Sequence, residues 1–144
     1  MQLQVAPLKH LARIVEKTAL SPTADGSYKA VLDVNRAAII CDNKVHMVDA
    51  LEAILGCEDL VVVRGKNRWA RPTPAGWADL MVNVKLVDDP HEHICEVQII
   101  HKKLMAARKD LHGHSSYANA RVAMDILEKI GLLEAPPTGD DAAV

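Results

Sequence analysis

Four cationic side chains, Arg64, Lys66, Arg68 and Arg71, fall within eight residues of one another, with Trp69 among them and Trp77 just beyond. A segment of this kind can pair phosphates through its cations while a ring stacks on a base. A stacked base contributes about 1–3 kcal/mol, enough to justify an exposed tryptophan. The same residues also suit a solvated loop whose tryptophans cap the edge of a core. Glu96 is the second candidate, because it stands inside the apolar run HICEVQII, where burying an unpaired carboxylate is costly. Either that face lies at an exposed sheet edge, or Glu96 and Gln98 open onto a cleft. In a cleft Glu96 can bind Mg²⁺ or take the proton of an attacking hydroxyl. Asp33 lies three residues before Arg36. On a strand next to that of Glu96 it would complete a Mg²⁺ site that counters phosphate charge; otherwise it pairs with Arg36 at the surface. Asp42 is the alternative second carboxylate. His91 and His93 are two ligands without a third, and His114, beyond Gly113, can reach the same cleft.

These residues need elements to hold them. Leu8, Leu11, Ile14, Val15 and Ala19 recur at helical spacing, so a helix is predicted from Pro7 to Leu20, closed by the turn chemistry of Ser21 to Gly26. A strand is expected in the second half of Ala30 to Cys41. Asp42-Asn43 then starts a helix whose face would be Met47, Val48, Leu51, Ile54 and Leu55, stopping at Gly56. Leu60 to Arg64 reads as a central strand that exits into the basic loop, Arg64 to Trp77, with its prolines and glycines. Leu80 to Val87 and His93 to Ile100 read as an antiparallel hairpin across Asp88-Asp89-Pro90. In the second of these runs Ile94, Glu96, Gln98 and Ile100 share one face and Cys95, Val97 and Ile99 the other. Helices from Lys102 to Leu111 and from Tyr117 to Leu133 follow, on either side of a break at Gly113. Residues 1–134 are expected to form one domain and 135–144 a flexible tail.

The whole-chain numbers agree with a single folded domain. The chain has 144 residues, 49 % hydrophobic and 25 % charged, which excludes a disordered, collagen-like or coiled-coil chain. A net charge of −2 provides no global field for a polyanion, so DNA is not expected as a partner. Cys41, Cys57 and Cys95 are an odd number without a CxxC pair, which argues against a disulfide framework and a zinc site. No apolar run reaches membrane-spanning length and Met1 to Val5 lacks a signal-peptide pattern, so no membrane contact and a cytoplasmic location are expected. With four aromatic residues and no Phe, the core must be aliphatic.

Lys66-Asn67-Arg68 through Pro72-Thr73-Pro74-Ala75-Gly76-Trp77, followed by Glu96-Val97-Gln98-Ile99, resembles the loop and the E-[IV]-Q-I motif of the RelA/SpoT family of (p)ppGpp synthetases. Lys9-His10-Leu11 with Ile14, and His114 to Tyr117, are similar to that family's opening and closing segments, so the resemblance spans about residues 9–117. It implies an α/β (α+β) nucleotidyltransferase-like mixed sheet flanked by helices. It also implies Mg²⁺-dependent pyrophosphate transfer from ATP to a guanine nucleotide. Under it Trp77 would stack on the acceptor guanine, Glu96 would be the base or metal-linked carboxylate and Asp33 the Mg²⁺ ligand. Lys9, Arg36 and Lys66 would contact phosphates, with Gln98 and His114 lining the nucleotide site. The sequence departs from the family pattern where Thr73 replaces the loop Lys, Asp79 and Met81 replace a Ser and a His, and Ile100-His101 replaces Arg-Thr. The alternative function is therefore a non-catalytic domain that binds nucleotide, RNA or protein through the same cleft, with homo-oligomerisation open.

Overall fold

The computed structural model describes residues 1–20, 31–73 and 76–110, together with a few positions between 123 and 132. Five strands make one mixed sheet: β1 (Gln2–Val5), β2 (Asn35–Cys41), β3 (Leu60–Asn67), β4 (Leu80–Leu86) and β5 (Cys95–His101), in the order β1-β2-β5-β4-β3. Only the β2–β5 pair is parallel. Three helices with described bounds flank the sheet: α1 (Leu11–Leu20), α2 (Lys44–Leu55) and α3 (Lys102–Asp110). This is the α+β mixed sheet flanked by helices that the sequence predicts, and the β4–β5 hairpin is antiparallel as expected. The break at Gly113, the residues 135–144 and most of the helix expected from Tyr117 to Leu133 lie outside the described residues, as do Ser21 to Gly26.

One face of the sheet is sealed by α2. Cys41, Val82, Val84 and Ile99 from the sheet meet Met47, Ala50 and Ile54, with Val97, Cys95 and Leu80 at the margin. The helix begins where Asn43 accepts the His46 backbone N–H at 2.9 Å, which satisfies one otherwise orphaned donor of the first turn. Its buried stripe runs 47, 50, 54, the i, i+3, i+7 spacing of one face. Val48 and Leu55, expected inward, are exposed.

Two elements differ from expectation for identifiable reasons. Gln2 to Val5 forms an edge strand ahead of the first predicted helix, where the sequence reading has no element: β1 pairs antiparallel with β2 over Gln2↔Ile40 to Val5↔Ala37. The extended course continues beyond it: Ala6 N–H donates to the Arg36 carbonyl and Lys9 N–H to that of Val34, each at 3.0 Å. Those backbone bonds compete with helix formation through Pro7 and Lys9, so α1 starts only at Leu11, its first turns closing on the His10 carbonyl.

The other difference decides which way the cations point. β3 runs on past Arg64 to Asn67, so Arg64 and Lys66 lie in a strand rather than a loop. Its register against β4 shifts at Val63, a β-bulge: Val62 faces Val84, but Arg64 faces Asn83. Side chains alternate along a strand, and one extra residue reverses the alternation. Before the bulge Leu60 and Val62 face the α2 core. After it Gly65 is the inward position, and Arg64 and Lys66 turn to the opposite face.

Candidate functional site

The face away from α2 collects the polar residues, and the register states which are neighbours. Arg36, Glu96, Asn83 and Arg64 form one row across β2, β5, β4 and β3, and Ala38, Gln98, Met81 and Lys66 the next. Backbone pairing continues one step beyond the strands, where the Arg68 N–H donates to the Asp79 carbonyl at 2.9 Å. Arg64, Lys66 and Arg68 are thus spaced i, i+2, i+4 along one side of one strand, opposite Asn83, Met81 and Asp79. The RGKNR run is a ladder of cations.

Glu96 sits inside this array. Its Oε1 accepts from the Gln98 side-chain amide at 2.9 Å. Burial pushes its carboxyl above the ordinary value of 4.5; the negative charge of Asp33 adds to the rise, while the Arg68 guanidinium, the Gln98 hydrogen bond and Lys17 oppose it. A carboxyl moved toward neutrality beside cations is suited to accept a proton.

Asp33 does not lie on a strand beside Glu96, as the sequence reading had it; it occupies a turn two residues before β2. The turn is held against the sheet by Asn83, whose buried side-chain amide donates to the Leu32 carbonyl at 3.0 Å. Lys9 and Lys17 each bind one oxygen of Asp33, Lys17 at 3.0 Å. The Lys9 side chain is only 9 % exposed. Burial would raise the Asp33 carboxyl, and the hydrogen bond from Lys9 with the charge of Lys17 outweigh it, leaving the carboxyl below its ordinary value. Replacing Asn83 with Ala should therefore loosen the segment that carries Asp33. An orphaned buried carbonyl costs about 1–3 kcal/mol, readable as a lower midpoint in urea titration.

Asp42 is not the second carboxylate. It follows Cys41, six positions along β2 from Arg36, the register partner of Glu96. At ~3.3 Å per residue this separates them by about 20 Å. Asp42 is held instead by Lys102 at 2.8 Å and by the Met1 amino group at 3.3 Å. Arg36 lies in the Glu96 row, yet its Nη2 donates to the Pro7 carbonyl at 3.2 Å, so it ties down the segment that carries Lys9. Asp33 and Glu96 are two oxygen-donor carboxylates whose charges oppose each other. That chemistry fits Mg²⁺, which takes one or two carboxylates and completes its shell with water and phosphate. Among the described residues no cluster of three or more His, Cys, Asp or Glu is placed to hold a metal.

The two tryptophans separate. Trp69 packs against the α2 core with the Lys44 ammonium 5.9 Å from its ring centre. Trp77 ends a tight loop in which its N–H donates to Thr73 Oγ1 at 3.1 Å, the Thr73 N–H returns to the Trp77 carbonyl at 3.0 Å, and Gly76 takes a φ of +75°. Its indole N–H donates to Asp79 Oδ2 at 2.9 Å. Arg68 Nη1 donates to both oxygens of the same carboxylate, at 3.0 and 3.2 Å. Trp77 therefore joins, through Asp79 and Arg68, the face that carries Glu96. Asp79 is the residue that the sequence reading leaves out of the site, and Arg68 enters that reading only as one of four cations in the basic run. The one signal for them was the alternate spacing of Arg64, Lys66 and Arg68, which cannot be used without knowing where β3 ends. Lys66 and Gln98 share this face; His114 lies outside the described residues.

No protein-family model matches the chain, and no curated protein matches it. Solved structures do. The small alarmone synthetase 1 from Bacillus subtilis bound to its product pppGpp superposes with a TM-score of 0.70 at 15 % identity, over 88 % of this chain and 70 % of that one. The same synthetase bound to AMPCPP gives 0.54 at 17 % identity, over 91 % and 77 %. A GTP pyrophosphokinase family protein from Streptococcus pneumoniae gives 0.64 at 12 % identity, over 88 % and 67 %. The chain has the fold of the small alarmone synthetases, the RelA/SpoT-like (p)ppGpp synthetase fold. Among the described residues no helix is long and apolar enough to cross a membrane.

Proposed function

We propose that this chain binds ATP and a guanine nucleotide over the Glu96 face of the sheet and transfers pyrophosphate from the first to a hydroxyl of the second. The observation that carries this reading is the placement of Glu96, a carboxyl with a raised pKa, between a cation ladder on β3 and the Asp33–Lys9–Lys17 cluster. A transferred phosphoryl group needs neutralising charge on its oxygens and a group to take the acceptor proton. In the step, the acceptor oxygen bonds to the β-phosphorus of ATP. The bond from that phosphorus to the α–β bridging oxygen breaks, AMP departs, and the acceptor proton passes to Glu96. Lys9 and Lys66 serve the phosphates, Trp77 stacks on the guanine and Gln98 orients Glu96. Asp33 and Glu96 would hold Mg²⁺, which when bound supplies further charge on the phosphate oxygens. The pppGpp and AMPCPP held by proteins of this fold support both substrate classes.

A second reading, nucleotide binding without transfer, is favoured by one observation: both oxygens of Asp33 are already occupied by lysines. Incubation with labelled ATP, GDP and Mg²⁺ separates the two. Transfer yields a more slowly migrating guanosine product. Micromolar nucleotide binding without product, lost in Trp77→Ala, selects the binding domain, and no nucleotide binding at all overturns both.

A further inference from the structure

Asp79 has 0 % exposure, and an isolated carboxylate in such a place is expensive unless it is paired. It is paired twice, with the Arg68 guanidinium and the Trp77 indole N–H. Both partners lie nearer to solvent: Arg68 keeps 26 % side-chain exposure and Trp77 is half-buried. Arg68 is further steadied over the site face by Met81, whose sulfur lies 3.6 Å from Nη2. The guanidinium is also near enough to Glu96 for its charge to act on that carboxyl. A guanidinium has five N–H donors in a fixed fork, and Asp79 engages one end of that fork. One buried anion therefore sets the plane of a ring and the position of a cation together.

We infer that Asp79 is a positioning residue that couples Trp77 to Arg68, so that ring stacking on the base and cationic contact with the phosphates of the guanine nucleotide form as one unit. This rests on the nucleotide reading above. It also gives Arg68 a role: it supplies a cation on a face where Thr73 and Met81 supply none. The contact is assembled before ligand arrives, and the ordering cost of a ring and a long side chain is already met in folding.

The test is a binding cycle on the whole chain. Kd for GDP is measured by equilibrium dialysis for wild type, Asp79→Asn, Trp77→Phe and the double variant, with tryptophan emission spectra recorded alongside. Asn keeps the shape and one acceptor but removes the charge. Asp79→Asn should weaken GDP about tenfold and shift the Trp77 part of the emission, the part that Trp77→Phe removes. Trp77→Phe should weaken binding by a similar factor, and the double variant by no more than about twentyfold, because two members of one coupled unit are not additive. Arg68→Gln, which leaves the indole bond to Asp79 in place, should also weaken GDP about tenfold and leave the emission unshifted. Wild-type affinity in Asp79→Asn, or a hundredfold multiplicative loss in the double variant, overturns the coupling while leaving the nucleotide reading intact. A wild-type chain that binds no GDP overturns both. Should Asp79→Asn fail to fold, Arg68→Gln decides: unchanged GDP affinity overturns the proposal.

Discussion

Glu96→Gln is expected to lose transfer activity by about 10²–10⁴-fold and at the same time to raise the thermal midpoint at pH 8. The two effects have one origin. Burial and the Asp33 charge hold the Glu96 carboxyl above its ordinary value of 4.5, so the folded chain binds this proton more tightly than the unfolded one. A raised carboxyl contributes stability that is fully present below the unfolded value and is lost as pH rises through the folded one. At pH 8 the ionised, partly buried carboxylate is a cost, and the neutral amide removes it. Asp33 runs the other way: its lowered carboxyl contributes stability above the unfolded value that is lost as pH falls through the folded one. The measurement is a pair of melting curves, wild type and Glu96→Gln, at pH 8 and pH 4. The variant should be the more stable at pH 8, and the gap should close toward pH 4, where both side chains are neutral. Equal midpoints at pH 8 would show that Glu96 is not held at a cost, and its role as proton acceptor would lose its physical basis. Such opposition between stability and activity is what a site that stores unfavourable charge produces.

Deleting Gly65 is expected to prevent cooperative folding, whereas deleting Val63 should leave a chain that folds with Arg64 and Lys66 on the same face. Val63 is the extra residue of the bulge and is 44 % exposed. Without it Arg64 follows Val62 directly, so alternation keeps Val62 on the α2 core and Arg64 opposite Asn83. Without Gly65, Arg64 and Lys66 become neighbours, and the same alternation turns one of them onto the α2 core. A cation buried against Met47, Ile54 and Ile99 would cost several kcal/mol. That consumes much of the 5–15 kcal/mol by which a domain of this kind is stable. Circular dichroism melts of the two deletions and wild type check this directly. A Gly65 deletion that still melts cooperatively near the wild-type temperature would mean that β3 re-forms its bulge elsewhere, and the cation ladder would then not depend on the spacing of these residues.

The strands and helices that bury a continuous apolar stripe could be read from one dimension. α2 was announced by Asn43, by Gly56 and by apolar residues at helical spacing, and the hairpin of β4 and β5 by two runs around Asp88-Asp89-Pro90. The two faces of β5 followed from alternation alone, so Glu96 and Gln98 were correctly set apart from Val97 and Ile99. β1 was missed because four residues, Gln2–Val5, are too few to show a period, and because their pairing partner lies more than thirty residues away. The start of α1 was placed too early for a related reason: Pro7 suits a helix locally, but the Lys9 N–H is taken by Val34.

For the site the division is sharper. Residue types and short-range periodicity belong to the chain itself, and they were enough to mark a carboxylate in an apolar strand, a cation-rich run and two tryptophans as the groups with chemistry. Which of those groups meet depends on registration between strands, on the parity change at Val63 and on where a turn is pinned. Those are set by backbone bonds between residues tens of positions apart and by competition for one core. Asp79 shows the limit best. As a letter in TPAGWADL it is an acidic residue after a turn; only folding surrounds it with Arg68 and Trp77, and only burial, by stripping away water, makes that pairing strong enough to hold a ring and a guanidinium in place.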